Sequence, residues 1–237
     1  MAHSITELPN WERLFRRILF EQMGDIKGRT ILDFGSGEGV TANHFARFNE
    51  VTAVEPDENM LRNAWRDFPY TQLVGDVNSI KSLKSESFDY IIIHNVLEYI
   101  DNRAEVLKEL TRLLKIGGKP SVVKHNRNGR IMQMAILLDD FDRANRLLDG
   151  ENSHAEKFGP IRYYETEDIL KACPTLEIED FYGIRTFFDL QQNQEKHSDE
   201  NWQNKMAELE MRVSKTDAFR NIAFFHHIIL TKKEETT

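Results

Sequence analysis

Three acidic residues and a glycine-rich turn occupy positions in this chain that are typical of ligand binding. Asp33 lies near the end of a short apolar segment, 30–34, which is followed directly by the turn GSGEG at 35–39. Glycines permit positive φ and let the main chain approach a ligand closely. Glu55 and Asp76 each follow a further apolar segment. We expect the three carboxylates at the carboxyl ends of neighbouring parallel strands, where open α/β sheets bind ligands.

The spacing of the glycines separates this turn from the dinucleotide-binding turn. Glu55 lies 20 residues after Gly35, as in dinucleotide-binding proteins, but the third glycine is Gly39 and residue 40 is valine. The charge of Asp33 repels a pyrophosphate and attracts a ligand ammonium group. The pattern therefore favours a positively charged nucleoside over a dinucleotide, and over an ordinary strand–helix turn.

Each acid suits a different part of such a nucleoside. Glu55 can accept hydrogen bonds from both ribose hydroxyls, although a solvated surface acid is the alternative. Asp76 can accept from an adenine amine while the Val77 amide donates to a ring nitrogen. These roles require the elements that carry the acids to form one sheet.

Alternating apolar segments predict those elements. Amphipathic helices are predicted at 10–23, 40–48, 57–66 and 165–172. Another is predicted to begin after Asp101, which serves as its N-cap. Strands are predicted at 30–34, 51–55, 71–75, 88–93 and 121–124, with long β-like segments at 176–190 and 222–231. A further amphipathic helix is indicated by Trp202, Met206, Leu209 and Val213.

We predict an α/β fold, Rossmann-like, with a seven-stranded mostly parallel sheet, helices on both faces and a helical lid insertion. Residues 1–237 form one predicted domain. Its parts are an N-terminal helix at 1–28, a cofactor-binding half at 29–126, the lid at 127–164, and a substrate-side half at 165–237 with a helical insertion at 191–217.

Composition narrows the class of protein. The 237 residues are 40% hydrophobic and 30% charged, as in a folded soluble enzyme, and the net charge of −8 provides no general attraction for nucleic acid. The single cysteine, Cys173, cannot form an intrachain disulfide, and no apolar segment reaches the roughly 18 residues of a membrane span. We expect a cytoplasmic protein without a metal site and without membrane contact, and the sequence does not indicate its oligomeric state.

Five segments, ILDFGSGEG, VTAVEPDENML, LVGDV, FDYIIIHNVLEYI and LLKIGG, resemble in order the motifs of class I S-adenosylmethionine-dependent methyltransferases. The resemblance covers residues 30–118. It implies that the glycine turn holds the methionine part of S-adenosylmethionine, and that His94 lies beside the methyl donor, which leaves as S-adenosylhomocysteine. The implied cofactor-binding residues are Asp33, Gly35, Ser36, Gly37, Gly39, Glu55, Pro56, Asp76, Val77, His94 and Asn95.

Further segments, VKHNRNGRIMQM, GIRTFF and FFHHIILT, are similar to the bacterial tRNA wobble 5-carboxymethoxyuridine methyltransferases. The part before Trp11 looks too short to include the upstream arginine with which that family holds the cofactor carboxylate, and Asp76 stands where a less acidic residue is expected. A bound tRNA requires local basic surface, which Lys124, Arg127, Arg130 and Arg143 could provide.

The acceptor decides which side chains catalysis needs. A hydroxyl or amine acceptor calls for a general base, for which His94 and His125 are the candidates. A carboxylate acceptor needs only groups that fix it, and the candidate substrate-binding residues are Lys124, Asn126, Tyr163, Tyr164 and Arg185. We predict a methyltransferase acting on an unidentified small molecule or modified nucleotide. The alternatives are the tRNA wobble-uridine carboxyl methyltransferase and a noncatalytic cofactor-binding module.

Overall fold

A seven-stranded sheet forms the centre of the computed structural model, which describes residues 2–234. Met1 and residues 235–237, although part of the predicted 1–237 domain, lie outside the described residues. The strand Phe225–Lys232 runs antiparallel to both of its neighbours in the sheet, and the other six strands run in one common direction. The predicted fold class is therefore confirmed. The strands of this sheet are, in chain order, β1 Thr30–Phe34, β2 Glu50–Glu55, β3 Thr71–Val74, β4 Phe88–His94, β5 Leu114–His125, β8 Leu176–Ile184 and β9 Phe225–Lys232. Their order across the sheet is β3-β2-β1-β4-β5-β9-β8.

Helices cover both faces of the sheet. On one face, α1 and α9 pack through Leu14, Ile18 and Ala207 against the sheet, and on the other α5 and α8 pack through Leu110 and Ile169. No described helix is long and apolar enough to span a bilayer. The helices are α1 Asn10–Met23, α2 Val40–Ala46, α3 Glu58–Arg62, α4 Val77–Ile80, α5 Arg103–Leu113, α6 Arg127–Ile136, α7 Phe141–Leu148, α8 Thr166–Ala172, α9 Glu200–Val213 and α10 Asp217–Arg220.

The helix predicted at 57–66 is shorter in the structure, where α3 ends at Arg62. The backbone N–H of Trp65 donates instead to the carbonyl oxygen of Glu38, at 2.9 Å. The segment after α3 therefore leaves the helical path to hold the glycine turn.

Two strand predictions also differ from the structure. β5 begins at Leu114 and not at residue 121, because Leu114 pairs with Phe88 across an irregularity of the β4–β5 ladder. The predicted strand 176–190 ends early, since β8 stops at Ile184. Arg185 has a φ of +64°, which breaks the extended backbone.

The segment at 127–164 contains α6 and α7, which pack on each other through Met134, Ala144 and Leu147. A small hairpin follows, formed by β6 Ser153–Ala155 and β7 Gly159–Ile161. The helices were predicted, but the hairpin was not.

Candidate functional site

The glycine turn connects β1 to α2 with a backbone that most side chains cannot adopt. Gly35, Gly37 and Gly39 have φ values of +79°, +56° and +71°. A Cβ atom on Gly35 would lie 2.3 Å from Cγ2 of Val96, on the segment that follows β4. The turn is therefore packed closely against the carboxyl end of β4, and Gly35 is required by space as well as by φ.

Glu55, the last residue of β2, fixes the turn. Its Oε2 accepts a hydrogen bond from the Gly37 N–H at 2.8 Å, and its Oε1 accepts from the Asp57 N–H at 2.9 Å. The side chain is only 8% exposed. Each carboxylate oxygen has a second acceptor direction, so Glu55 can hold the turn and still accept a ligand hydroxyl.

A cavity of about 290 Å³ opens beside the turn. Four of the predicted cofactor-binding residues line it, namely Gly35, Pro56, Asp76 and Asn95. Tyr99 and Phe158 also line it, with their rings 5.6 Å apart. Neither aromatic residue was predicted as part of the site, since Tyr99 lies in a short 3-10 helix and Phe158 in the unpredicted hairpin.

Asp76 and Val77 differ in how they relate to the cavity. One carboxylate oxygen of Asp76 accepts from the Asn78 N–H at 2.8 Å and so caps α4, while the residue remains exposed at the cavity wall. The side chain of Val77 packs against the hydrophobic core. Asp76 can therefore meet a ligand amine, and any contact from Val77 to a ligand would come from its backbone.

Four polar atoms around the turn are buried without a hydrogen-bond partner among residues 2–234: Asp33 Oδ2, Ser36 Oγ, His94 Nδ1 and Asn95 Oδ1. A buried polar group left unpaired costs about 1–3 kcal/mol, so natural proteins rarely keep several together without a ligand. All four belong to residues predicted to bind S-adenosylmethionine. The site therefore fits a ligand that carries several hydrogen-bond donors and acceptors, and S-adenosylmethionine is such a ligand.

Arg16 lies near enough to the buried Asp33 for its positive charge to act on that carboxyl group. Burial raises the pKa of Asp33 to about 7, and the positive charge of Arg16 opposes that rise. The Arg16 guanidinium donates to Thr41 Oγ1 on α2 at 2.5 Å and to Glu12 on α1. A carboxylate and a guanidinium that lie within electrostatic range of each other can hold the ammonium and carboxylate groups of an amino acid.

Arg16, on α1, is a candidate for the cofactor carboxylate that was not predicted from the sequence. It lies after Trp11, so it does not bear on the expectation about the part of the chain before that residue. The spacing of apolar residues in α1 locates the buried face of the helix, and only the folded structure shows which polar residue borders it at Asp33.

We predict that Arg16→Gln weakens binding of S-adenosylhomocysteine by roughly 10- to 100-fold, because a hydrogen bond to a charged group contributes about 1.5–3 kcal/mol. Arg17→Gln is the matched control, since Arg17 is exposed on the same helix. Isothermal titration calorimetry gives both affinities. Equal affinities of the two variants would exclude Arg16 from the site.

The two candidate bases have different surroundings. Burial, with His227 and Arg16 nearby, holds the pKa of His94 well below its usual range, and its Nε2 lies 2.8 Å from Ser121 Oγ. Burial also lowers the pKa of His125 to about 3, and the His125 backbone N–H donates to the buried Glu98 at 2.6 Å. Both imidazoles are therefore neutral near pH 7.

The predicted substrate-binding residues are not brought together in one site. Lys124, Asn126, Tyr163 and Tyr164 line a cavity of about 250 Å³, whereas Arg185 lines another of about 470 Å³.

Most of their polar groups already have partners. The Lys124 ammonium donates to the Tyr164 carbonyl, and the Asn126 amide donates to the carbonyl of Ala223 at 2.8 Å. Arg185 makes a buried bidentate ion pair with Asp189. The Tyr163 hydroxyl lies 2.7 Å from Ser153 Oγ. These residues can shape a cavity wall, but their polar groups are less available to a substrate than the sequence indicated.

The described part of the chain contains no cluster of potential metal ligands. Within residues 2–234, no three histidine, cysteine or acidic side chains are grouped so that they could hold a metal ion. His226 and His227 alternate along β9, with His227 completely buried.

Comparison with known proteins agrees with the geometry. A family model described as a methyltransferase domain matches residues 32–122. The demethylmenaquinone methyltransferase of Renibacterium salmoninarum is 24% identical over 165 residues, which cover 69% of this chain and 58% of that protein. The ubiquinone biosynthesis O-methyltransferase of Xanthomonas oryzae pv. oryzae is 27% identical over 166 residues, which cover 68% of this chain and 67% of that protein. The match thus spans only about three fifths to two thirds of these relatives.

Solved structures share the fold. Phosphoethanolamine N-methyltransferase 2 of Haemonchus contortus, in complex with S-adenosyl-L-methionine, superposes with a TM-score of 0.58 at 16% identity, over 98% of this chain and 58% of that one. An S-adenosylmethionine-dependent methyltransferase of Mesorhizobium loti gives 0.57 at 14% identity, over 96% and 100% of the two chains. Residues 32–122 therefore match a methyltransferase domain, and the chain has the fold of solved S-adenosylmethionine-dependent methyltransferases.

Proposed function

We propose that the protein transfers a methyl group from S-adenosylmethionine to a small organic molecule. The observation that carries the proposal is the set of four unpaired buried atoms at Asp33, Ser36, His94 and Asn95, which surround the glycine turn. The relatives named above support a small acceptor, because two of them act by name on quinone precursors.

The residues of the chain divide the cofactor between them. Asp33 and Arg16 hold its amino-acid end, Glu55 accepts from the ribose, and Asp76 accepts from the adenine amine at the rim of the cavity. When bound, S-adenosylmethionine supplies an electrophilic methyl group on a positively charged sulfur. Aligning the acceptor with that methyl group and excluding water are the main requirements of such a displacement.

The hairpin carrying Phe158 covers this site from the side of the lid segment. The Lys157 ammonium lies 3.9 Å from a carboxylate oxygen of Glu38 in the glycine turn, and 2.9 Å from Met60 Sδ. The Phe158 ring is 50% exposed where it borders the cavity. Ligand binding can therefore bury an aromatic surface that is open in the free protein, which would shield the site from water.

The tRNA alternative has weaker support. Of the basic residues predicted to meet RNA, Lys124 is only 3% exposed. Arg127 donates to the carbonyls of Leu147 and Glu151 within the lid segment. Two of the four cations are thus engaged inside the protein.

A labelling experiment tests the proposal. The purified protein is incubated with S-adenosylmethionine that carries a tritiated methyl group and with a whole-cell extract of the source organism, which is then separated into organic-soluble, aqueous small-molecule, RNA and protein fractions. We expect label in a small-molecule fraction with the wild type and with Glu50→Ala, an exposed acid at the far end of β2, and none with Glu55→Ala. Label in RNA would establish the tRNA alternative instead, and no transfer to any fraction would overturn the proposed activity.

A further inference from the structure

A buried chain of hydrogen bonds runs from α1 through the sheet to His94. The Gln22 side-chain amide donates to the Gly183 carbonyl at 3.3 Å, and Gln22 Oε1 lies 2.8 Å from His227 Nδ1. His227 Nε2 lies 2.9 Å from Ser121 Oγ, which lies 2.8 Å from His94 Nε2. Gln22, Ser121 and His227 are at most 7% exposed. These hydrogen bonds therefore join four side chains, of which Gln22, Ser121 and His227 are buried.

The backbone carbonyl of Gly183 determines which atom donates and which accepts in each of these hydrogen bonds. A carbonyl oxygen only accepts, so Gln22 must turn its NH₂ group to Gly183 and its oxygen to His227. His227 must then carry its proton on Nδ1, which leaves Nε2 as an acceptor because burial holds the pKa of His227 near 3 and keeps the ring neutral. The Ser121 hydroxyl donates to His227 and accepts from the N–H at His94 Nε2.

The last member of the chain is left with a lone pair. With its proton on Nε2, neutral His94 has an unprotonated Nδ1, and this is the atom that is buried without a partner among the described residues. His94 ends β4 directly before Asn95 and Val96, which line the cofactor cavity. The free lone pair therefore lies at the end of the strand that borders the cavity.

We propose that Gln22, His227 and Ser121 are positioning residues that lock His94 in the Nε2–H tautomer, so that Nδ1 accepts a proton from a hydroxyl group of the methyl acceptor. This inference rests on the proposed methyltransferase function and names its acceptor class. A carboxylate acceptor has no proton to lose, and an amine can attack through its own lone pair and lose its proton to water afterwards. A hydroxyl gains most from a base at the site.

The step balances in atoms and charge. The acceptor oxygen gives its proton to His94 Nδ1 and forms a bond to the methyl carbon, while the electron pair of the carbon–sulfur bond goes to sulfur. One positive charge leaves sulfur as one appears on the His94 imidazole. A buried site that already holds a cation therefore gains no net charge during transfer, although burial and Arg16 disfavour protonated His94 in the free protein.

Nitrogen NMR of the imidazole rings tests the lock without the cofactor. In protein labelled with ¹⁵N at histidine, two-bond correlations distinguish protonated from unprotonated ring nitrogens. We expect His94 with a protonated Nε2 and unprotonated Nδ1, and His227 with the opposite pattern. The reverse tautomer at His94, with a well-folded spectrum, would overturn the proposal.

Variants of Ser121 show whether the hydrogen bonds from Gln22 to His94 cause the single tautomer of His94. Ser121→Ala removes the acceptor for the Nε2 proton, so the His94 correlations should shift to a mixture of tautomers. Ser121→Thr keeps the hydroxyl and should keep the wild-type pattern. If His94 keeps one tautomer in Ser121→Ala, the chain does not lock it and the proposal fails. These spectra need no cofactor. If the protein failed to bind S-adenosylmethionine, the proposed function would be wrong, but the spectra would still show whether the tautomer of His94 is fixed.

The labelled product from the extract tests the acceptor class. Label that resists mild alkali but is released as methyl iodide by hydriodic acid identifies a methyl ether, which the proposal predicts. Release by mild alkali identifies a methyl ester, and retention through both treatments identifies a methyl group on carbon or nitrogen. Either of the last two results would overturn the hydroxyl assignment.

Discussion

Glu55→Ala is expected to weaken the binding of S-adenosylhomocysteine by about 100-fold or more. The substitution removes the acceptor of two backbone N–H groups, from Gly37 and Asp57, in addition to any ribose contact. Because each hydrogen bond to a charged group contributes about 1.5–3 kcal/mol, loss of the turn geometry alone accounts for this magnitude. Calorimetric titration measures the change.

The matched control is Glu50→Ala, at the other end of the same strand. Glu50 is exposed, so this variant changes the net charge equally while leaving the turn intact. We expect its affinity to remain within a factor of two of the wild type, as is usual for an exposed surface substitution. A comparable loss in both variants would show that charge, and not the fixed turn, controls binding.

Gly35→Ala is expected to abolish measurable cofactor binding. The added Cβ would lie 2.3 Å from Val96 Cγ2, so the turn and the cavity wall must move apart. The residue also has a φ of +79°, and a side chain in this left-handed conformation costs about 1–2 kcal/mol. A thermal melt and a titration with S-adenosylhomocysteine separate the loss of stability from the loss of binding.

Gly28→Ala separates the strain from the clash. Gly28 has a φ of +64°, but nothing lies within 4 Å of a Cβ built on it. The two variants should lose a similar amount of stability through backbone strain, while only Gly35→Ala should lose the cofactor. If Gly28→Ala binds as poorly as Gly35→Ala, the close contact with Val96 is not what the site requires.

The fold could be predicted well because its signals are local. α1 at Asn10–Met23 and β1 at Thr30–Phe34 have the predicted bounds, since apolar spacing and a following glycine define each of them. The errors occur where distant contacts override local preference. α3 ends early because Trp65 bonds to Glu38, and β5 extends back to Leu114 because that residue finds a partner in Phe88.

The candidate site was predictable only in part. Acids at strand ends are visible in the sequence because the sheet brings those ends to one edge. Arg16, Tyr99 and Phe158 reach the site from a helix, a 3-10 helix and a hairpin, and no spacing rule relates them to the glycine turn. The direction of the chain that ends at His94 depends on the Gly183 carbonyl, which lies in a distant strand.

The pH dependence of S-adenosylhomocysteine binding tests the central claim, that buried Asp33 holds the cofactor ammonium group. Burial raises the pKa of Asp33 in the free protein to about 7, and only the charged carboxylate pairs with an ammonium group. Affinity should therefore reach its full value well above pH 7 and, well below pH 7, fall by about tenfold per pH unit, as linkage requires for one proton.

Calorimetry between pH 5.5 and 8.5, in buffers of different ionisation enthalpy, measures both the affinity and the protons released. We expect proton release to approach one proton per ligand well below pH 7 in the wild type, and weak binding without that proton release in Asp33→Asn. Tight binding by Asp33→Asn, or no binding by the wild type at any pH in this range, would contradict the central claim.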